Sequence, residues 1–175
     1  MAWIFGYGSL MWDPFFPYLS REKAELPGYH RAFVMSFARV WGRSNAPCAV
    51  LGLERGGRCE GVAYEVEPER LLGIEEELRA FEGDAFEVSR RTILVLGREV
   101  EASVALNKPS HPDYLGRLPS ADRVAMVLRA QGAQASCLDY VTMTAESLQQ
   151  LGIKDQGVLE FLRQVKEARG QESEP

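Results

Sequence analysis

The chain has 175 residues, of which 46% are hydrophobic and 26% charged, the size and make-up of a folded domain able to bury about two-thirds of its unfolded surface. A net charge of −5 with no Lys/Arg run argues against a nucleic-acid partner, and no apolar run reaches membrane-spanning length or forms a signal-type start. Cys48, Cys59 and Cys137 are odd in number and widely spaced, which gives neither a disulfide framework nor a metal-ligand pattern; the expectation is buried thiols in a reducing cytoplasm.

Trp3-Ile4-Phe5 reads as a buried strand that breaks into Gly6-Tyr7-Gly8-Ser9. Two glycines remove Cβ atoms, so successive backbone N–H groups can converge on an anion. There is no third glycine for a dinucleotide fingerprint and no Gly-Lys-Ser/Thr for a nucleotide loop, which leaves a carboxylate as guest. On the glycines alone, an ordinary turn fits equally well.

Asp13-Pro14 and Pro17 mark an irregular crossing. An extended region follows from about Gly28 to Val40, with Tyr29, Arg31, Phe33 and Met35 on one side. Cys48–Glu54 and Cys59–Glu67 read as a hairpin across Arg55-Gly56-Gly57-Arg58. Pro68 opens a helix to about Phe81, with Leu71, Leu72, Ile74 (or Glu75), Leu78 and Phe81 as its stripe and Gly83 as its stop. Phe86–Leu96 and Glu99–Leu106 form a second hairpin across Gly97-Arg98. A loop runs from Asn107 to Pro119, and the rest is helical. Ser120 reads as the N-cap of a helix over Ala121–Ala130. Ser136 with Asp139 forms a capping box for a helix to about Leu151, and a last helix spans about Gln156–Arg169. The pattern predicts an α+β fold with a mixed or antiparallel barrel-like sheet, one domain over residues 1–169 and a disordered tail over 170–175.

Few residues have chemical potential. Ser9 could be a nucleophile only with a base and an orienting acid. His30 in a strand and His111 in a proline loop fit structural roles better, and the two histidines also argue against a metal site. Glu82 stands between Phe81 and Phe86 beside a helix-ending glycine. Apolar walls there would raise its pKa towards the range in which it both takes and gives a proton. From composition alone an exposed glutamate is the simpler reading.

Phe5-Gly6-Tyr7-Gly8-Ser9-Leu10-Met11-Trp12 resembles the signature of the gamma-glutamylcyclotransferase superfamily, in its ChaC-like branch. The resemblance recurs in Pro27–Phe33, in Gly61-Val62-Ala63-Tyr64, in Ala80-Phe81-Glu82-Gly83, in His111–Gly116 and in Leu138-Asp139-Tyr140 followed by Leu151-Gly152-Ile153. It implies the gamma-glutamylcyclotransferase-like fold and a cytoplasmic enzyme, monomer or homodimer, with no cofactor, metal or enzyme nucleophile. A gamma-glutamyl amide, glutathione as the first expectation, would attack its own γ-carbonyl through its α-amine and leave as 5-oxoproline. The resemblance makes Glu82 the catalytic residue and Tyr7, Gly8, Ser9, Leu10 and Tyr140 the substrate-binding ones. Three departures bear on the substrate. Phe81 replaces a common arginine, Ser36-Phe37-Ala38 a polar Gly-Ser-Thr, and Cys137 a frequent asparagine. Another gamma-glutamyl amine or dipeptide, or a non-catalytic carboxylate-binding protein, are the alternatives they raise.

Overall fold

In the computed structural model, which describes residues 1–172, the sheet is a closed five-strand barrel in the order β1-β3-β2-β4-β5. Its strands are β1 (Ala2–Gly6), β2 (Ser20–Phe37), β3 (Cys48–Val66), β4 (Phe86–Val95) and β5 (Arg98–Asn107). β1 runs antiparallel to β3 and parallel to β5, whereas β2/β4 and β4/β5 are antiparallel, so the mixed barrel-like sheet is as expected. Every residue of β1 is buried, which is why it reads as an unbroken apolar run. Among the described residues no helix is long and apolar enough to cross a membrane.

The chain forms two compact units, Met1–His30 with Leu53–Lys108, and Arg31–Gly52 with the residues from Pro109 onward. The first holds β1, most of β3, β4, β5 and the helix α1 (Leu71–Glu82). Pro68–Arg70 forms a 3₁₀ turn leading into α1, and Gly83 ends the helix at φ 79°, a conformation that glycine adopts without a Cβ penalty. Leu71, Ile74, Glu75 and Leu78 form its buried face. Leu72, read as part of the stripe, is 71% exposed because it lies off that face. The β4/β5 hairpin turns at Leu96 and Gly97, one residue earlier than expected, and both have positive φ as a tight two-residue turn requires.

The hairpin expected at residues 55–58 does not form. β3 is one strand of 19 residues, and Gly56 and Gly57, at φ 100° and 72°, bend it without reversing it. His30 Nδ1 lies 3.0 Å from the Gly56 carbonyl, so β2 continues alongside. β2 itself starts at Ser20, earlier than the apolar pattern showed, because its first residues alternate mainly between half-buried and exposed.

The second unit carries α2 (Ser120–Arg129), α3 (Cys137–Gln150) and α4 (Gln156–Glu172). Ser120 is not a cap but the first helical residue, and its hydroxyl donates to Gln164 Oε1 at 2.5 Å. The Ser136/Asp139 capping box opens α3 as expected, and the Ser136 hydroxyl and N–H hold the Asp139 carboxyl below its ordinary pKa. Arg31, buried, pairs through Nε with Asp155 at 3.2 Å, and Asp155 Oδ1 accepts from Val158 N at the start of α4. Phe33 stacks on Phe161 at 4.4 Å. Residues 170–172 of the expected tail are helical, and the remainder of that tail lies outside the described residues.

Cys48 and Cys137 form a disulfide with Cα atoms 5.3 Å apart, which corrects the expectation of free thiols and removes the cysteine-based ground for a reducing compartment. A sequence separation of 89 residues hides such a pair until the fold is known. Cys59 is buried and free. Thiol titration of the denatured, unreduced protein is expected to find one thiol per chain, and three after reduction. Three thiols before reduction would contradict the pairing.

Candidate active site

The parallel pairing of β1 with β5 brings their C-terminal ends to the same end of the barrel, Phe5 opposite Val104. β4 begins at that end too, since Phe86 pairs with Asn107 and Lys108 N donates to Ala85 O at 2.9 Å. The loop that leaves β1 and the turn that follows Glu82 therefore share one end of one unit. A ring contact ties them more closely. Phe15, four residues beyond the short 3₁₀ turn Ser9–Met11, meets Phe81 with ring centroids 5.6 Å apart.

Gly6 ends β1 because the chain folds back over it, and a Cβ there would lie 2.8 Å from Leu10 Cβ. Gly61 allows β3 to approach, since a Cβ there would lie 2.4 Å from Gly6 O. Two hydroxyls then fasten the loop. Tyr7 donates to Ala105 O of β5 at 2.8 Å, and Tyr64 of β3 donates to Leu10 O at 2.5 Å. The N–H groups of Met11, Trp12 and Asp13 bond back to Gly8 and Ser9 carbonyls. Among the described residues, none accepts from the N–H groups of Gly8, Ser9 or Leu10. The loop thus presents backbone donors from a fixed frame, which is what an anion cradle needs.

Tyr7, expected at the substrate, is buried, and its phenol donates to β5, so its side chain helps to hold the loop. Among the described residues no base bonds to Ser9 Oγ, which leaves the serine without the partner a nucleophile requires. Glu82 is the last residue of α1 and is half-buried, with Phe86 buried and Asp84 and Glu87 exposed. Tyr140 belongs to the second unit. There its hydroxyl accepts from Leu51 N at 3.2 Å and its ring packs against Trp41 at 5.4 Å. Tyr64 entered the sequence analysis as part of the block Gly61-Val62-Ala63-Tyr64, with no role of its own. Its ring meets Tyr18 at 5.0 Å and Phe16 at 5.5 Å. Among the described residues no group of three His, Cys, Asp or Glu side chains is arranged to hold a metal ion.

A family model described as ChaC-like protein matches residues 2–168. The chain belongs to the ChaC-like family. It is 32% identical over 169 residues to the glutathione-specific gamma-glutamylcyclotransferase of Escherichia coli K12, covering 94% of this chain and 73% of that one. It is 29% identical over 175 residues to gamma-glutamylcyclotransferase 2-3 of Arabidopsis thaliana, covering 94% and 88% of the two chains. In fold it is similar to a yeast gamma-glutamyl cyclotransferase specific to glutathione, with a TM-score of 0.89 at 18% identity over 99% of each chain.

Burial raises the Tyr64 phenol above its ordinary value of 10.0, partly opposed by the Arg21 guanidinium and reinforced by Tyr18. The phenol is therefore protonated and donating at neutral pH, and the Leu10 tether weakens only as pH rises through that raised value. Tyr64→Phe keeps the ring packing but removes the tether. It is expected to raise KM about fivefold, the equivalent of one hydrogen bond of about 1 kcal/mol, with the circular dichroism spectrum unchanged. An unchanged KM in the folded variant would mean that the tether does not hold the cradle.

Proposed function

We propose that the protein is a gamma-glutamylcyclotransferase that converts glutathione to 5-oxoproline and cysteinylglycine. The observation that carries the reading is the glycine loop, with its Gly8, Ser9 and Leu10 donors, lying at the same barrel end as the half-buried Glu82 in a ChaC-like chain. The substrate specificity follows the names of the relatives in Escherichia coli and yeast.

The chemistry asks little of the protein beyond order. Backbone N–H groups of the loop hold the α-carboxylate of the glutamyl group and bend its short chain into a near-attack shape. Glu82 takes a proton from the α-ammonium. The freed amine adds to the γ-carbonyl carbon and forms the C–N bond of a five-membered ring. The bond to the cysteinyl nitrogen then breaks as Glu82 returns that proton to it, and the second proton left on the ring nitrogen passes through the same carboxylate to the departing amine, which leaves as an ammonium. No water is consumed and no group is left on the enzyme. Tyr140 is assigned to the substrate on its place in the family motif.

One observation favours a second reading, a different leaving group on the same gamma-glutamyl chemistry. Cys137, standing where the family often has asparagine, is tied up in the disulfide and offers no side-chain amide.

Purified protein incubated with glutathione is expected to release 5-oxoproline and cysteinylglycine in equal amounts, unaffected by a chelator. Release from another gamma-glutamyl compound alone would move the assignment to the second reading. Binding without turnover of any gamma-glutamyl compound would leave a carboxylate-binding protein. Glu82→Gln keeps the shape of the side chain but cannot exchange a proton, and should lower kcat by about 10²–10⁴-fold while substrate affinity persists. A folded Glu82→Gln protein that binds substrate and turns over within about tenfold of wild type would contradict the acid–base role.

A further inference from the structure

A glutamate inside the apolar face of a helix needs a reason, since burying a carboxylate is costly unless it is paired. Glu75 is such a residue. It is 5% exposed, lies between Ile74 and Leu78 on the buried face of α1, and is fully partnered. Its Oε1 accepts from Ser103 Oγ at 2.5 Å and from Arg90 Nη2 at 2.8 Å, while Oε2 lies 3.5 Å from Arg79 Nη2. Ser103 and Arg90 are direct cross-strand partners in the β5/β4 ladder, and Ser103 also pairs with Ile4 of β1. One carboxylate therefore locks the helix to the strand pair that β1 joins, two residues before β1 breaks into the glycine loop.

The spacing to Glu82 gives this lock its consequence. Seven residues are two helical turns to within about 20°, so Glu75 and Glu82 project from one side of α1, about 10 Å apart along its axis. Leu71, Ile74 and Leu78 bury the helix but leave its rotation and slide to soft packing. Docking strength alone does not call for a glutamate here, because a buried ion pair rarely adds stability over apolar packing of the whole pair. What directional hydrogen bonds add is a fixed phase. Resting on the acid–base reading of Glu82, we propose that Glu75, held by Ser103 and Arg90, is the positioning residue that sets Glu82 against the substrate bound in the loop.

The test compares Glu75→Leu, Glu75→Gln, Ser103→Ala, Glu82→Gln and the double variant Glu75→Leu/Glu82→Gln by steady-state kinetics and thermal melting. Glu75→Leu leaves the Ser103 hydroxyl without its acceptor and is expected to fold with a melting temperature a few degrees below that of wild type, to keep KM within about twofold and to lose about 30–100-fold in kcat, as a misplacement near 1 Å produces. Glu75→Gln, which still accepts from Ser103, should recover kcat to within about fivefold of wild type. The decisive readout is the double variant. If Glu75 acts only through Glu82, its removal from Glu82→Gln costs less than about twofold further. A folded Glu75→Leu with kcat within about threefold of wild type overturns the proposal. So does an equal loss in both backgrounds, which would mark general structural damage. Should Glu75→Leu fail to fold, Ser103→Ala decides: about tenfold lower kcat at unchanged KM supports the proposal, and wild-type kcat overturns it. Glu82→Gln at the wild-type rate would instead sink the acid–base reading, whereas a crippled Glu82→Gln beside an unimpaired Glu75→Leu sinks the positioning role alone.

Discussion

The arrangement depends on how β1 ends. A strand buried on both sides must return its chain to the surface without leaving polar backbone groups stranded, and here it does so by folding Leu10 back onto Gly6. Tyr7 then bonds the loop to β5 and Tyr64 bonds it to β3, the two strands that flank β1 in the barrel. Each such bond is worth only about 1 kcal/mol net. Their value, on the proposed role of the loop, is that both act before any substrate arrives, so the donors of Gly8, Ser9 and Leu10 would not need ordering on binding.

That frame extends to the helix bearing Glu82. β5 receives the Tyr7 phenol at Ala105 and supplies Ser103 to Glu75, so one strand references both the loop and α1. Phe15 and Phe81 close the distance between the segment after the loop and the end of α1. A reaction in which the substrate attacks itself needs this economy. Its barrier is mostly one of conformation and proton placement, and rigid elements hold both better than long loops do.

Much of this was legible in the residues. The apolar run broken by Gly6 and Gly8 marked β1 and its loop, Pro68 and Gly83 bracketed the helical region ending in α1, and Ser136 with Asp139 marked the start of α3. The misses share a physical cause, which is that local pattern cannot see partners distant in sequence. Gly56-Gly57 has turn chemistry, but only β2 alongside makes it a bend within one strand. Cys48 and Cys137 looked inert because the fold that joins them was not visible. Tyr64 stood in the block Gly61-Val62-Ala63-Tyr64 with no role of its own, yet its hydroxyl holds Leu10. Glu75 was visible as an ambiguity in the stripe of α1, a charged residue where periodicity wanted an apolar one, and its partners on β4 and β5 resolve it.

The central claim is that the protein orders a molecule whose own amine breaks its own amide bond. Isotope labelling tests this directly. With glutathione turned over in water enriched in oxygen-18, the account predicts 5-oxoproline carrying no label in the first turnovers, because no water attacks the carbonyl. Glutamate labelled in its γ-carboxyl would contradict it, since that product requires hydrolysis.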